Sequence, residues 1–441
     1  MGVLTFKGGI HPDDKKIYTK DKPIVEMSAS KEMVYPMSQH IGAPCEPIVN
    51  VGDTVCVGQK IADSSAFVSA PIHSTVSGTV TKIEKRRHPN GQMVNSVIIE
   101  NDDLYTLSPD IYRRDGFENL SKEEKLAIIR EAGLVGLGGA GFPTHIKLNP
   151  SGKIDCVIIN AAECEPYLTS DYRVMMETAF MVVEGLRFIM NIVECDKGYI
   201  AIENNKMEAI KKMKEASSKY DNIDVVTLKT KYPQGSEKHL IYAVTKREVP
   251  SGKLPADVGV VVQNVDSACA VYNAAIFRQP VLSRVVTVSG GAIDSPCNFR
   301  VKLGTSFTDV IENAGGFIGN VKKIVMGGPM MGIAQQDTDT PVIKTTSAIL
   351  AFDESEIYKK EKSPCLRCGK CVNSCPMNLV PLTLAESALN EDFSKCLKYN
   401  ILDCIECGIC SYVCPSERSC TQAIKIGKQK INALKKKQGG K

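Results

Sequence analysis

Two short cysteine runs near the carboxyl end constrain the fold of this chain more than any other sequence feature. Each run has the spacing Cys-x2-Cys-x2-Cys-x3-Cys-Pro. Three thiolates on one tight loop can face three corners of a cubane, and this spacing is typical of segments that bind [4Fe–4S] clusters. The cysteines are Cys365, Cys368, Cys371 and Cys375 in the first run, and Cys404, Cys407, Cys410 and Cys414 in the second.

The fourth cysteine of each run is expected to bind the cluster of the other run. The fourth corner of a cubane faces away from a three-cysteine loop, so its ligand has to arrive from a partner segment. Zinc is the alternative, but a structural zinc site pairs two Cys-x2-Cys knuckles, and the third cysteine of each run would be surplus to tetrahedral coordination. The spacing therefore predicts one cluster on Cys365, Cys368, Cys371 and Cys414, and a second on Cys404, Cys407, Cys410 and Cys375.

Composition and charge place the chain in a broad class. Its 441 residues suggest about three domains, and its 17 cysteines favour a reducing compartment in which thiolates bind metals. No stretch resembles a signal peptide or approaches the ~18 apolar residues of a membrane span. The nine cysteines outside the runs lie singly in apolar segments and are expected to be small buried side chains.

Positive charge is concentrated at the carboxyl end. The formal net charge is +4, and residues 418–441 contain eight basic residues and no acidic one. We expect the lysine-rich tail, residues 425–441, to be mobile. It could be solvated, or meet acidic lipid headgroups or an acidic partner. Nucleotide hydrolysis and nucleic-acid binding are disfavoured because their motifs are missing.

The pattern of residues changes along the chain. Short alternating runs between turn residues in 40–100 predict short β-strands. From about residue 121, strand-like and helix-like stretches alternate, which predicts an α/β domain with a mainly parallel sheet. After residue 280, a compact β-rich module with one helix is predicted. The expected α/β strands are 156–160, 199–203, 225–229 and 258–264, and the expected helices are 122–132, 173–191, 206–220, 237–245 and 267–277.

A glycine-rich loop follows the first predicted helix of the α/β region. Residues 136–144 read Gly-Leu-Gly-Gly-Ala-Gly-Phe-Pro-Thr. Such a loop lets backbone amides approach a phosphate or a flat ring closely, and a plain turn is the alternative. The loop is not a Walker loop, because no Gly-Lys-Ser/Thr follows, and it is not a Rossmann fingerprint after a strand.

The loop and three later segments together resemble a flavoprotein family. Residues 136–147 are similar to the flavin loop of the NADH-oxidising subunit of respiratory complex I and of related hydrogenase and formate dehydrogenase subunits. Residues 160–166, Asn-Ala-Ala-Glu-Cys-Glu-Pro, resemble its Asn-Ala-Asp-Glu-Gly-Glu-Pro segment. Residues 232–237, Tyr-Pro-Gln-Gly-Ser-Glu, resemble Tyr-x-x-Gly-Glu-Glu, and residues 263–267, Gln-Asn-Val-Asp-Ser, resemble Asn-Asn-Val-Glu-Thr.

The other regions of the chain indicate which group of these flavoproteins it resembles. Residues 51–59 and 70–80 resemble the half-motifs of lipoyl- or biotinyl-type barrel-sandwich domains, but no lysine that could carry a cofactor lies between residues 61 and 81. The module after residue 280 resembles the soluble-ligand-binding β-grasp (SLBB) domain. With two cysteine runs, and Ala162 and Cys164 as departures from the flavoprotein pattern, the chain resembles the C subunits of Rnf complexes. These complexes are membrane-bound, ion-translocating ferredoxin:NAD oxidoreductases.

The resemblance implies an α/β multidomain fold. Its expected parts are an N-terminal barrel-sandwich (lipoyl-like) β domain in residues 1–118, a Rossmann-like α/β FMN/NAD domain in 119–280, a β-grasp (SLBB-type) domain in 281–345, an α-helical two-[4Fe–4S] ferredoxin-type domain in 346–424, and the lysine-rich tail in 425–441.

The resemblance also implies the cofactors and their contacts. FMN is expected against the glycine loop, with NAD(H) over the flavin near Phe142, Lys147 and Glu165. An aromatic face suits adenine stacking, and a carboxylate suits ribose hydroxyls. No catalytic residue is expected, because the flavin carries out hydride transfer. The expected cofactor contacts are Gly136, Gly138, Gly139, Phe142, Lys147, Asn160, Glu163, Glu165, Tyr232, Gly235, Glu237, Asn264 and Ser267.

The implied function is that of a peripheral subunit on the cytoplasmic face of the cell membrane. A flavin would exchange a hydride with NAD(H), and two clusters would pass single electrons. The implied partners are the other subunits of the complex, including a ferredoxin-type iron–sulfur subunit, with ferredoxin as an indirect partner. The alternative is an electron-carrier or docking subunit with clusters but no functional nucleotide site, which Ala162 and Cys164 favour.

Overall fold

The N-terminal region forms two small antiparallel sheets. The computed structural model describes residues 2–357 and 361–439, and these sheets have the strand orders β2-β8-β7-β4 and β3-β5-β6. Met33, Ile61 and Val97 lie in the apolar core between them. The strands up to residue 101 are β1 (Ile24–Glu26), β2 (Glu32–Pro36), β3 (Glu46–Pro47), β4 (Thr54–Val55), β5 (Lys60–Asp63), β6 (Ile72–His73), β7 (Gly78–Arg87) and β8 (Met93–Asn101).

A four-stranded parallel sheet forms the middle of the chain, in the order β11-β10-β9-β12. All four predicted strands and all five predicted helices are present, with ends that differ by a few residues. The elements are α1 (Lys122–Glu131), α2 (Thr144–Lys147), β9 (Cys156–Ala161), α3 (Ser170–Ile192), β10 (Gly198–Glu203), α4 (Met207–Ser217), β11 (Ile223–Leu228), α5 (Glu237–Thr245), β12 (Val260–Asn264) and α6 (Val265–Phe277).

The order of these strands creates a crevice. The chain runs from β9 outward to β10 and β11, and then returns to the other side of β9 as β12. Leu186 of α3 and Met213 of α4 pack in the core on one face, whereas Leu240 of α5 packs in the core on the other. In an open parallel sheet, ligands bind outside the carboxyl ends of the strands where the winding direction reverses. Here that point lies between β9 and β12, where Asn160 is paired in register with Asn264.

The third region is built on a six-stranded sheet with the order β1-β14-β13-β17-β15-β16. Its edge strand, β1, comes from the N-terminal segment and pairs in parallel with β14. That segment also pairs with the α/β domain, because Ile10 N–H donates to Tyr232 O over 2.8 Å. Residues before β2 therefore join two later regions, although the domain boundaries themselves stay predictions. The elements are β13 (Ser283–Ser289), β14 (Cys297–Lys302), α7 (Phe307–Asn313), β15 (Lys323–Met326), β16 (Ile333–Gln335) and β17 (Ala348–Phe352).

Short helices surround the cysteine runs. Helix α12 packs against α9 and buries Ile431, which is only 3% exposed. The expectation of a mobile tail is wrong for residues 425–431, because Ile431 packs in the core that contains α9, and the helix itself extends to residue 439. The helices are α8 (Lys370–Asn373), α9 (Pro381–Leu389), α10 (Phe393–Lys398), α11 (Ile409–Tyr412) and α12 (Cys420–Gly439).

Among residues 2–357 and 361–439, no helix combines the length and apolar character needed to cross a bilayer.

The contact between α3 and α6 at Gly185 provides a test of how tightly these two helices pack. A Cβ added at Gly185 would lie 2.0 Å from the carbonyl oxygen of Ala268. We expect Gly185→Ala to destabilise the protein by about 1–3 kcal/mol, because overpacking outweighs the ~1 kcal/mol gain in helix propensity. Thermal unfolding of Gly152→Ala is the control, because a Cβ there meets no heavy atom within 4 Å. Equal melting temperatures for the two variants would show that the helices yield without cost.

Candidate FMN and iron–sulfur site

Asn160 closes the floor of the crevice at the end of β9. Its Nδ2 donates to Gly235 O over 2.8 Å, and its Oδ1 accepts from Ala162 N–H over 3.2 Å. Gly235 itself lies so close to this segment that a Cβ would be 2.4 Å from Ala162 O. The segments that follow β9 and precede α5 are therefore held together, and Gly235 cannot be replaced without moving one of them.

Asn264 occupies the opposite side of the crevice, at the end of β12. Its Oδ1 accepts from Asp266 N–H over 2.9 Å and caps α6, while its Nδ2 donates to Asp171 Oδ2 over 2.7 Å. A Cβ on Gly138 would lie 2.5 Å from Asn264 Nδ2, so the glycine loop lies directly over this side chain. Burial raises the pKa of Asp171, and the negative charge of Glu163 adds to that rise.

The glycine loop is anchored from both sides by polar contacts. Leu137 N–H donates to Ser267 Oγ over 3.1 Å, and Leu137 O accepts from Arg284 Nη2 over 2.9 Å. Gly136 N–H donates to Phe142 O over 2.9 Å and shapes the turn. At Gly139, an added Cβ would meet no heavy atom within 4 Å, so this side of the loop is open to a ligand.

Two of the carboxylates predicted for the site, those of Glu163 and Glu237, contact a helix amide or a lysine. Glu163 Oε1 accepts from Asp171 N–H over 2.8 Å at the start of α3. Its other oxygen, Oε2, is buried without a hydrogen-bond partner and lies 3.8 Å from Lys16 Nζ. Glu237 Oε1 pairs with Lys147 Nζ over 2.5 Å. The buried Glu163 Oε2, which has no hydrogen-bond partner, fits a crevice that a polar ligand such as the flavin completes.

Tyr232 and Glu165 are placed at a junction between domains. The Tyr232 side chain is 1% exposed, and its hydroxyl donates to Cys407 O over 2.7 Å. Glu165 Oε2 accepts from Met330 N–H over 3.0 Å, and its Oε1 is 3.4 Å from the Tyr232 hydroxyl. Burial raises the pKa of Glu165 to about 7. The structure therefore joins these two residues to the second cysteine run and to the loop after β15.

Cysteines of the second run line a small cavity of about 20 Å³. Its lining includes Cys404, Cys407 and Cys410, together with Cys375 from the first run. Burial raises the pKa of Cys404 to about 11 and that of Cys407 to about 12. Such thiols stay protonated unless a metal stabilises the thiolate form. The four thiols that line this one cavity are therefore the donor set predicted for one cluster.

The first run lies on an open loop. Cys368 is exposed and Cys365 and Cys371 are partly exposed. Burial raises the pKa of Cys371, and the nearby charge of Cys414 adds to it, which agrees with the predicted sharing of one cluster. Within the described residues, no three or more His, Cys, Asp or Glu side chains form a group that could hold a single metal ion. The ligand assignments of both runs stay predictions.

Family models match four consecutive segments of the chain. They are the RnfC barrel-sandwich hybrid domain in residues 4–104, the Nuo51 FMN-binding domain in 129–273, the SLBB domain in 285–334 and the 4Fe-4S dicluster domain in 364–418. The expected fold class is therefore confirmed, as are an FMN-binding domain and a dicluster domain.

Two curated relatives cover nearly the whole sequence. The C subunit of the Na(+)-translocating ferredoxin:NAD(+) oxidoreductase complex of Acetobacterium woodii is 45% identical over 435 residues, 98% of each chain. The chain belongs to this family of C subunits. The C subunit of the proton-translocating complex of Clostridium ljungdahlii is 46% identical over 404 residues, which is 91% of this chain and 88% of the relative. The predicted family is confirmed.

A solved structure shares the fold at low sequence identity. An NAD+-reducing [NiFe]-hydrogenase in the H2-reduced state aligns with a TM-score of 0.52 and 16% identity. The alignment covers 70% of this C-subunit family member and 61% of the hydrogenase chain.

The sequence analysis missed residues that position the site. Arg284 is 1% exposed on β13 and bonds both Leu137 O and Asp266, although it belongs to the neighbouring β-grasp region and to no motif. Asp171 lies two residues before the predicted helix 173–191 and belongs to no motif, whereas the structure places it in the first turn of α3. Gln234 is fully buried with both amide atoms unpartnered, and its place inside the Tyr-x-x-Gly block could have drawn attention to it.

Arg284 gives a test of how the glycine loop is held. We expect Arg284→Met to weaken FMN binding by about tenfold or more, because Leu137 O and Asp266 lose their buried donor. Fluorescence quenching of FMN titrated with flavin-free protein measures this change. Arg300→Met on β14 is the control, since that guanidinium pairs with the exposed Glu26. Normal FMN affinity in Arg284→Met with a lowered melting temperature would assign Arg284 to the fold alone.

Glu165 gives a test of the junction between domains. Its pKa is about 7 in the folded chain, against 4.5 for an ordinary glutamate. The folded state therefore binds more protons than the unfolded state between these values, and this contribution to stability is lost as the pH rises through 7. We expect Glu165→Gln to gain melting temperature relative to the wild type between pH 5 and pH 8, equivalent to about 1–3 kcal/mol. Glu215→Gln on α4 is the control, and a pH-independent difference would contradict the assignment.

Proposed function

We propose that this chain exchanges electrons between NAD(H) and one-electron carriers as the peripheral subunit of an ion-translocating ferredoxin:NAD oxidoreductase complex. The observation that carries the proposal is the contact between Tyr232 and Cys407 O, at 2.7 Å. It joins a segment of the FMN-binding domain directly to a loop of the dicluster domain. FMN supplies the chemistry that converts a two-electron hydride into single electrons.

The residues of the crevice would bind and orient FMN. The amides of Gly136, Gly138 and Gly139 and the ammonium of Lys147 would favour negative charge on the phosphate and the ring. Asn160 and Asn264 would fix the two sides of the crevice through their bonds to Gly235 O and Asp171. The remaining contacts proposed for FMN are Glu163, Tyr232, Gly235, Glu237 and Ser267.

NAD(H) would bind over the flavin beside the glycine loop. The Phe142 side chain is 37% exposed, so its ring is available for stacking on adenine. Lys147 lies beside the same loop as a cation for the pyrophosphate. Glu165 would act on the nucleotide less directly, because its carboxylate is held at the domain junction by Met330 N–H and the Tyr232 hydroxyl.

The cysteines would hold two [4Fe–4S] clusters. Cys365, Cys368, Cys371 and Cys414 would bind one, and Cys404, Cys407, Cys410 and Cys375 the other. The proposed location is the cytoplasmic face of the cell membrane, beside the other subunits of the complex and a ferredoxin-type iron–sulfur subunit, with ferredoxin as an indirect partner. The related complexes are named for Na+ in one organism and for protons in the other.

Anaerobic reconstitution tests the proposal. We expect about eight irons, bound FMN, and bleaching of the visible spectrum by NADH. Phe142→Ala should raise the NADH concentration for half-maximal bleaching by about three- to tenfold, because a stacking contact contributes about 0.5–1.5 kcal/mol. Its FMN affinity should not change. Phe180→Ala is the control, since that ring is exposed on α3 and contacts Tyr272 and Lys219 rather than the glycine loop.

The alternative function predicts a different result. A carrier or docking subunit would contain iron and FMN but show no spectral change with NADH. Unchanged NADH titration in Phe142→Ala would separately remove that ring from the nucleotide site.

A further inference from the structure

A cavity of about 350 Å³ lies between the N-terminal sheets and the α/β domain. Its walls come from β5 and β6, from α1 and α6, and from residues 110–114, which connect the two regions. Small-molecule sites typically have volumes of about 300–1,000 Å³ and occur preferentially where domains meet. Helix α6 begins at the flavin crevice and ends at this cavity, so the two places lie at opposite ends of a helix about 20 Å long.

The wall formed by residues 110–114 is held in place by contacts to both neighbouring regions. Arg114 N–H donates to Ile276 O in the last turn of α6 over 2.6 Å. On the other side, Ile111 lies so close to Gly58 that a Cβ added there would be 2.3 Å from Ile111 Cδ1. The cavity is therefore formed by the protein itself, and a ligand would not have to order this segment on binding.

Two arginines on this cavity lack a carboxylate partner. Arg114 Nη1 is buried and forms no hydrogen bond. The Arg278 guanidinium lies 4.7 Å from the centre of the Tyr112 ring and donates to the hydroxyl of that residue. Among residues 2–357 and 361–439, neither guanidinium forms an ion pair with a carboxylate. A buried donor without an acceptor is costly, and guanidinium groups bind phosphate oxygens through paired hydrogen bonds.

The other charged groups on the wall leave it positive overall. Lys60 pairs with Glu131, so these two charges offset each other. His73 is buried, and burial lowers its pKa to about 3, so its imidazole is neutral at physiological pH. Asp110 also lines the cavity and is the carboxylate that would oppose an anion there. The lining thus has three cations against two carboxylates, which favours an anionic ligand.

We propose that this cavity binds a phosphorylated small organic molecule, whose phosphate is held by Arg114 and Arg278. Ile111, Ile128 and Ala274 also line the cavity and offer an apolar wall to the organic part of the ligand. The site goes beyond the proposed function, because it contains none of the cysteines and none of the residues proposed for FMN or NAD(H). Binding is reversible, and no bond is formed or broken.

The test uses the full chain with both clusters and FMN, kept anaerobic, in isothermal titration calorimetry with three small anions. We expect one phenyl phosphate to bind per chain, with a Kd about tenfold lower than that of inorganic phosphate, because part of the ring leaves water. Benzoate has the same ring but a carboxylate with a single negative charge. It should bind about tenfold or more weakly than phenyl phosphate, because it offers fewer oxygens and less charge to the two arginines.

Variants of the wall locate the binding. Arg114→Met and Arg278→Met should each weaken phenyl phosphate binding by about tenfold or more, because each removes charge-assisted hydrogen bonds. Arg114→Lys keeps the charge but not the paired donors, and should give an intermediate Kd. Asp110→Asn should tighten binding by about two- to fivefold, because a negative charge no longer opposes the phosphate. Arg113→Met is the matched control, since that neighbouring side chain pairs with Asp115 and does not line the cavity.

Four results would overturn the proposal. The first is a wild-type chain that binds neither phosphate nor phenyl phosphate at millimolar concentrations. The second is an equal loss of binding in Arg113→Met and Arg114→Met, which would assign binding to overall charge. The third is equal affinity for phosphate and phenyl phosphate, which would leave an ion site without an organic part. The fourth is competition of phenyl phosphate with NADH that persists in Arg114→Met, which would place the binding at the nucleotide site. Melting temperatures of all variants distinguish lost binding from lost folding.

Discussion

The junction around Tyr232 is the contact on which the arrangement of the site depends. The tyrosine follows β11, its hydroxyl donates to a carbonyl of the second cysteine run, and the carboxylate of Glu165 lies beside it. Met330, from the β-grasp region, completes the junction by donating its N–H to Glu165. Because this cluster is buried and apolar apart from these bonds, the bonds are shielded from water and are stronger for it. Three regions of the chain are therefore fixed relative to one another at the point where the flavin crevice and the cysteine loop meet.

Buried ion pairs around the crevice also hold parts of the site in fixed positions. Lys206 Nζ donates to Glu203 Oε2 over 2.8 Å, and Lys16 Nζ lies 3.8 Å from Glu163 Oε2, so these two buried carboxylates each have a cation close by. Burying such pairs contributes little net stability, because desolvation offsets their attraction. Their effect is to hold polar groups in fixed positions before a ligand arrives, which reduces the cost of ordering them on binding. The crevice is thus organised by the protein itself rather than by the ligand.

Local patterns predicted the elements of the α/β domain but not the contacts between domains. Helix α5 begins and ends at the predicted residues, and β12 leads directly into α6, because apolar periodicity and capping are encoded within each segment. Strand β1 was not predicted, since three residues acquire strand structure only by pairing with β14, far away in sequence. Arg284 was missed for the same reason, because its partners Leu137 and Asp266 come from other segments. The mobile tail was wrong because the lysines concealed the spacing of Ile424 and Ile431, which pack against α9.

The two cysteine runs show that the spacing of a motif does not predict the environment in which it lies. Their spacing is the same, so local geometry predicts the same loop and the same cluster for both. Their environments differ in ways that the spacing does not encode: Tyr232 of the α/β domain donates to Cys407 O of the second run, whereas His239 of the same domain lies 3.0 Å from Pro376 O at the end of the first run. Cys368 of the first run is exposed, whereas Cys407, the equivalent cysteine of the second run, is buried. Two copies of one motif thus acquire different exposure from the segments that pack beside them, which their identical spacing cannot predict.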